Sequence, residues 1–342
     1  MIFIKNIFNI CFVIIGTIIG AGFASGKEIY SFFCVYGIYG LFGLLVSNLI
    51  IGLVIFMSFI IISRNNIKTY SEFINFLVNN KKILSCSITN IMNIFLLISF
   101  IVMCAGFGAY FLQEFNLPVF FGAIVISVLA FITFFNNING IIKINSILIP
   151  ILILLVILLG YKCNIMFFKP FALVTSSNYI WIIKSILYAS YNSIMLVPIL
   201  INLRNFIKKE KDIKIVAFFT MFFMIIISVI IYIILCINMP MINEIDIPIV
   251  YIASSFGVVF KLLYGFVILT AIFTTATSSG FSFLNNVAKN KKQYFTFSIL
   301  MCSIAVSFSN IGFSNLLNLL YPILGFLGLI QIGLLLFSYD KL

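Results

Sequence analysis

The sequence is a succession of apolar runs, each near the length of a membrane-crossing helix, joined by short polar connections. Residues 214–237 carry a single charge, Lys214, at their edge. A hydrocarbon layer about 30 Å thick is crossed by roughly 20 apolar residues in a helix. Inside it every backbone polar group must be satisfied within the segment, which leaves helices as the natural solution. Ten segments qualify, at about 7–35, 39–63, 84–111, 117–135, 140–161, 178–202, 214–237, 256–286, 293–309 and 311–337. The expected fold class is an all-α integral membrane protein of about ten transmembrane helices, with residues 1–342 forming one transmembrane domain. The first segment continues through Gly-rich sequence into further apolar residues without a clear small-x-small cleavage site. It is therefore expected to be a span, not a signal peptide.

Composition narrows the function classes. Of 342 residues, 63% are hydrophobic and 8% charged. That is a third of the charge of a soluble chain, which carries about 25%. There is no His, which removes Ser-His-Asp triads and His-based metal or haem sites. The seven Cys have no C-x-x-C spacing and mostly sit in apolar runs, where Cys behaves as a small hydrophobe. With no acidic pair and no nucleophile–base set, no enzyme is expected.

The net charge of +12 is a topology signal, not a nucleic-acid footprint. With the N-terminus in the cytoplasm, 15 of the 20 basic residues fall in inside segments. They include Arg64, Lys68, Lys81 and Lys82, Arg204 with Lys208, Lys209, Lys211 and Lys214, and Lys289, Lys291 and Lys292. The outside loops hold only Lys162 and Lys169, beside Glu114, Glu244 and Asp246. The positive-inside rule thus predicts a multi-pass protein of a bacterial-type cytoplasmic membrane, with both termini cytoplasmic.

Two spans are anomalous. The first carries Gly16, Gly20, Gly22 and Gly26 within eleven residues, followed by Lys27-Glu28. Glycine weakens a helix by about 1 kcal/mol relative to Ala. The run reads either as a packing face or as an unwound segment, and the adjacent charges favour unwinding beside a wet cavity. The sixth span reads Tyr188-Ala-Ser190-Tyr191-Asn192-Ser193, ahead of Pro198. Gly20 and Tyr191 are half a chain apart, and Pro150 and Pro322 repeat nearly that offset. Five spans per half force the second half to enter from the opposite side. The expectation is a 5+5 inverted repeat, with pseudo-repeats at about 1–165 and 172–342 and with helices 1 and 6 discontinuous.

Gly16-Thr-Ile-Ile-Gly-Ala-Gly-Phe-Ala-Ser-Gly-Lys-Glu-Ile29 resembles the first-helix signature of the YkvI-type membrane proteins, relatives of the amino acid–polyamine–organocation superfamily. Lys27 departs from the Gln that this family usually carries. The resemblance extends over the ten spans and the Tyr188–Asn192 segment, and implies the LeuT-type fold. It also implies site residues. Gly20, Ala21, Gly22, Phe23, Ala24 and Ser25 would offer backbone amides to a substrate carboxylate, with Tyr188, Tyr191 and Asn192 as the facing wall. Ala271-x-x-Thr274-Thr275 on span eight matches the pattern with which LeuT-type sodium transporters build a Na⁺ site, the carbonyls of Gly16 and Ile19 being the partners. No other cofactor is implied.

Some polar residues keep two readings. Ser278 and Ser279 stand one turn beyond Thr274 and Thr275 and can simply bond back along their helix. Glu28 is either a proton carrier or the structural partner of Lys27 or Lys184, the structural role being favoured. Asn90, Asn93, Asn315 and Asn318 are expected as interhelical glue. The expected function is a secondary transporter of a small amino acid or related amine by alternating access, with Na⁺ as candidate coupling ion. Its partners are a small-molecule substrate and lipid. The alternative is a transporter-fold receptor that binds a ligand without moving it.

Overall fold

The structure, a computed structural model, describes residues 2–135, 139–163, 179–207, 209–242 and 245–339. The expected positions of Lys169, Lys208, Glu244 and Lys341 lie outside them. Within them, the side chains of residues 2–6, 139–146 and 322 are likewise not described, so Pro322 cannot be compared with Pro150, which lies inside a helix.

The first apolar segment is three helices, not one: α1 (Ile2–Ile18), α2 (Ala21–Ser25) and α3 (Lys27–Phe32). The glycine run produces both breaks. Gly20 is extended at the start of α2, and Gly26, at φ +83°, turns the chain between α2 and α3. That left-handed geometry is one an L side chain rarely adopts. A short 3₁₀ turn at Cys34–Tyr36 leads into α4 (Gly37–Arg64). Then follow α5 (Tyr70–Leu77), α6 (Lys82–Phe115), α7 (Val119–Phe134) and α8 (Asn139–Lys162). The second half holds α9 (Ile180–Leu203), α10 (Glu210–Ile237), the short α11 (Met239–Ile242) and α12 (Pro248–Ser254), then α13 (Val258–Val287), α14 (Lys291–Ser309) and α15 (Phe313–Tyr339).

Every expected apolar segment falls on helix. Among the described residues, six helical stretches are long and apolar enough to cross a membrane: Lys27–Arg64, Lys82–Phe115, Ile180–Phe206, Glu210–Ile237, Val258–Val287 and Phe313–Tyr339. Ile7–Ile18, Val119–Phe134 and Ile147–Lys162 are shorter apolar helices.

The sixth span corrects an expectation. α9 is continuous from Ile180 to Leu203, with Pro198 inside it. Its polar side chains do not unwind the backbone; they bond back one turn. Ser185 donates to the Trp181 carbonyl at 2.6 Å, Ser190 to Ile186 at 2.7 Å, Asn192 to Tyr188 at 2.9 Å and Ser193 to Ala189 at 2.7 Å. Such local bonds satisfy the side chain without costing the helix its own ladder.

Two sets of helices form. α1, α4, α9 and α10 pack on one another, and so do α6, α7, α13 and α14. α8 bridges from α1 and α10 to α13, and α15 from α9 and α4 to α6. The sets meet where α1 and α2 lie on α13 and α6. One end of the molecule is tied by Arg64 to Glu210, at 2.6 and 3.2 Å, and by Arg204 to the Asn66 and Ile67 carbonyls. The opposite end carries Lys261–Glu114 at 2.6 Å and the buried α12.

Candidate functional site

The broken first segment frees backbone oxygens at a defined place. In a continuous helix the Gly20 amide would donate to the Gly16 carbonyl, four residues back. Here it donates to Ile18 instead, at 2.9 Å, so Gly16 loses its helical partner. The Thr275 hydroxyl, from α13 in the other helix set, stands 3.4 Å from the Gly16 carbonyl and 3.4 Å from that of Ile19. Thr274 and Thr275 are both buried. The Thr274 hydroxyl donates to Ala271 at 3.0 Å, which puts those two oxygens on the same stretch of α13. Three expected members, Gly16, Ile19 and Thr275, are thus brought together, with Ala271 and Thr274 one step along the helix. Carbonyl and hydroxyl oxygens suit a hard cation. Among the described residues no cluster of His, Cys, Asp and Glu could hold a metal, so any ion here would rest on neutral oxygens.

Ser278 and Ser279 take the bland reading, bonding back to Thr274 at 2.8 Å and Thr275 at 3.0 Å. Asn93 is interhelical glue, accepting from Asn286 at 2.9 Å, whereas Asn315 donates to the Ile311 carbonyl in the turn ahead of α15.

The second half of the site is built around Glu28. All of Gly20–Ser25 is buried. The Ala21 amide donates to Met103 Sδ at 3.3 Å, and Ser25 closes locally on the Gly22 carbonyl at 3.1 Å. The turn at Gly26 folds Glu28 back over α2. A side-chain carbon at Gly22 would overlap the Glu28 carboxyl group. Tyr191 donates to Glu28 Oε2 at 2.5 Å. The Tyr321 ring lies 4.6 Å from that of Tyr191, and Tyr188 stands edge-on to Tyr191 at 5.3 Å. The Tyr188 hydroxyl is buried without a hydrogen-bond partner among the described residues.

The expected pairing of Glu28 with a lysine is not made among the described residues. Lys27 reaches the Ile245 carbonyl at 2.9 Å, and the Lys184 ammonium lies over the Phe32 ring at 5.2 Å. Tyr191 reaches Glu28, Tyr188 packs edge-on against Phe32, Phe33 and Tyr191, and the Asn192 amide is spent on its own helix. Sequence reasoning missed Met103 and Tyr321. Met103 gives no sequence signal, and Tyr321 stands beside Pro322 with nothing in its own spacing to single it out.

No protein-family model matches the chain. Over 336 residues it is 28% identical to the uncharacterised membrane protein YkvI of Bacillus subtilis strain 168, spanning 96% of this chain and 94% of that one. Over 321 residues it is 29% identical to the uncharacterised protein YyaD of the same strain, spanning 92% of each. Its fold matches that of a Na⁺-coupled sialic acid symporter in a substrate-bound outward-open state. The TM-score is 0.69 at 12% identity, over 97% of this chain and 78% of the other. The chain is a membrane-embedded, all-helical protein with a transporter fold.

Proposed function

We propose that the protein is a secondary transporter of a small amino acid or related amine, working by alternating access with Na⁺ as the coupling ion. The observation that carries this reading is the Thr275 hydroxyl meeting the freed Gly16 and Ile19 carbonyls. A cation held there would join α1, in one helix set, to α13, in the other. Binding the ion would then favour one relative placement of the sets over another, which is what coupling requires. Gly16, Ile19 and Thr275, with Ala271 and Thr274, would supply its oxygens. The resemblance of the symporter fold supports the same mechanism.

The contact pattern also supports a ten-span, 5+5 inverted repeat in which α1–α8 and α9–α15 are the two halves. Each helix set takes two helices from each half. We read the N- and C-termini as cytoplasmic, in a bacterial-type cytoplasmic membrane, from the loop charges. Lipid and a small substrate are the partners of this reading, and no enzymatic step belongs to it.

The test is uptake by the reconstituted full chain of radiolabelled amino acids and amines, with and without a Na⁺ gradient. Thr275→Ala is expected to weaken the apparent Na⁺ affinity by at least about tenfold, the scale on which a disturbed metal site responds. Thr275→Ser, which keeps the hydroxyl, should restore most of it. Equal Na⁺ dependence in all three proteins would place the ion elsewhere, and Na⁺-independent uptake would remove it from the mechanism.

A further inference from the structure

We propose that Glu28 is the recognition group for the ammonium of a cationic substrate, one that carries no carboxylate of its own. This rests on the transporter reading and narrows its substrate class. Buried charges are ordinarily paired. Glu28 is 3% exposed, and among the described residues it has no cationic partner. Its carboxyl group lies against Gly22 beside the α2 break, where the two helix sets meet, so the unpaired acid stands at the centre of the fold and not at its rim.

The surroundings suit a cation. Tyr188, Tyr191, Tyr321 and Phe32 gather round the acid. Ring faces attract ammonium groups, and one ammonium of this chain, that of Lys184, already lies over the Phe32 ring at 5.2 Å. The Tyr188 hydroxyl, fully buried and without a hydrogen-bond partner among the described residues, is a second polar group left over in the same cluster. In this conformation Tyr191 caps the acid. An entering ammonium takes over that role and adds the opposite charge that the neutral Tyr191 hydroxyl cannot supply.

The same geometry disfavours an anion. A substrate carboxylate on the α2 amides would sit beside the Glu28 carboxyl group, and like charges in a water-poor site repel strongly. The first of those amides, on Ala21, is already engaged by Met103. Of the two chemistries in the transporter reading, a simple amine fits this site and a zwitterionic amino acid does not.

The experiment compares matched probes on the purified full chain. Ethanolamine, putrescine and tetramethylammonium supply the positive charge. Glycine and glycolate supply a zwitterion and an anion of similar size. Thermal unfolding in detergent reads binding, and uptake of labelled ethanolamine and glycine into proteoliposomes reads flux. At least one cation is expected to raise the unfolding midpoint, and glycine and glycolate are not. In Glu28→Gln the cation's apparent affinity should fall at least about tenfold, as when a buried charge pair loses one member. The charge preference of the unaltered chain is a test that needs no variant.

Stabilisation by glycine or glycolate equal to that by the cations would overturn the proposal. So would the absence of any cation effect, or a cation effect that survives in Glu28→Gln. Cation binding without flux would sustain the Glu28 assignment and sink the transporter. Glycine flux indifferent to Glu28→Gln would do the reverse.

Discussion

Gly22 is dictated by a carboxylate that comes six residues later in the chain. Its missing Cβ is the space that the Glu28 side chain fills, so the two positions are energetically one feature. Gly22→Ala should therefore destabilise the protein by about 1–3 kcal/mol, the cost of overpacking a filled core. The same substitution in a Glu28→Ala background should cost much less, because the obstacle has gone. A double-mutant cycle on unfolding midpoints measures the coupling. A Gly22→Ala penalty unchanged by removing Glu28 would mean that something else fills that space. The sequence made the glycine run visible as a break, since four glycines so close together weaken any helix. It did not reveal where Glu28 goes. That depends on the reversal at Gly26, and a buried acid followed by an apolar stretch reads equally well as a partner for Lys27 or Lys184. Thr275 was legible only through family resemblance, because a hydroxyl that bonds its own helix and one that reaches another look alike in sequence.

At the scale of elements, the two anomalous spans differ in kind although both drew the same reading. The first breaks because glycine withholds helix stability. The sixth, α9, holds because Ser and Asn side chains satisfy themselves on carbonyls one turn back. Hydrogen-bonding residues in a helix are therefore ambiguous where glycines are not, and this is why a continuous α9 was not foreseen. What α9 contributes is a close surface for α15. A Cβ at Gly328 would run into the Ser190 carbonyl, a backbone atom that cannot swing aside, whereas one at Gly333 on the same helix meets nothing within 4 Å. Gly328→Ala should force α15 away from α9 and lower the unfolding midpoint by an amount equivalent to about 1–3 kcal/mol. Gly333→Ala should leave the midpoint unchanged or slightly raised, since Ala is the better helix former by about 1 kcal/mol. Equal effects at the two positions would show that helix propensity, and not the α9 contact, governs this face.

For the whole molecule, alternating access needs one end to open while the other stays shut. The end near α12 is fastened by specific bonds in this structure. Gln113 of α6 binds Ile247 twice, donating to its carbonyl at 3.3 Å and accepting from its amide at 3.1 Å. Ser314 of α15 donates to Asp246, and Lys27 of α3 donates to the Ile245 carbonyl. The segment ahead of α12 is thereby strapped to α6, to α3 and to α15, and it presses the buried Ile249 onto Gly26 above the site. Opening this end must release those bonds. A net hydrogen bond is worth about 1 kcal/mol, so losing both bonds of the Gln113 pair, about 2 kcal/mol, should raise the open population by about thirtyfold. Cysteine placed at Ile249 reports it, because a buried thiol reacts only in the open fraction when opening and closing are fast. With a membrane-impermeant maleimide, read by mass spectrometry of the labelled peptide, Ile249→Cys should modify slowly alone and about thirtyfold faster with Gln113→Ala added. If α12 instead moves as one body with α6, the two proteins will label at the same rate, and the element that opens this end must be sought in α3 or α15.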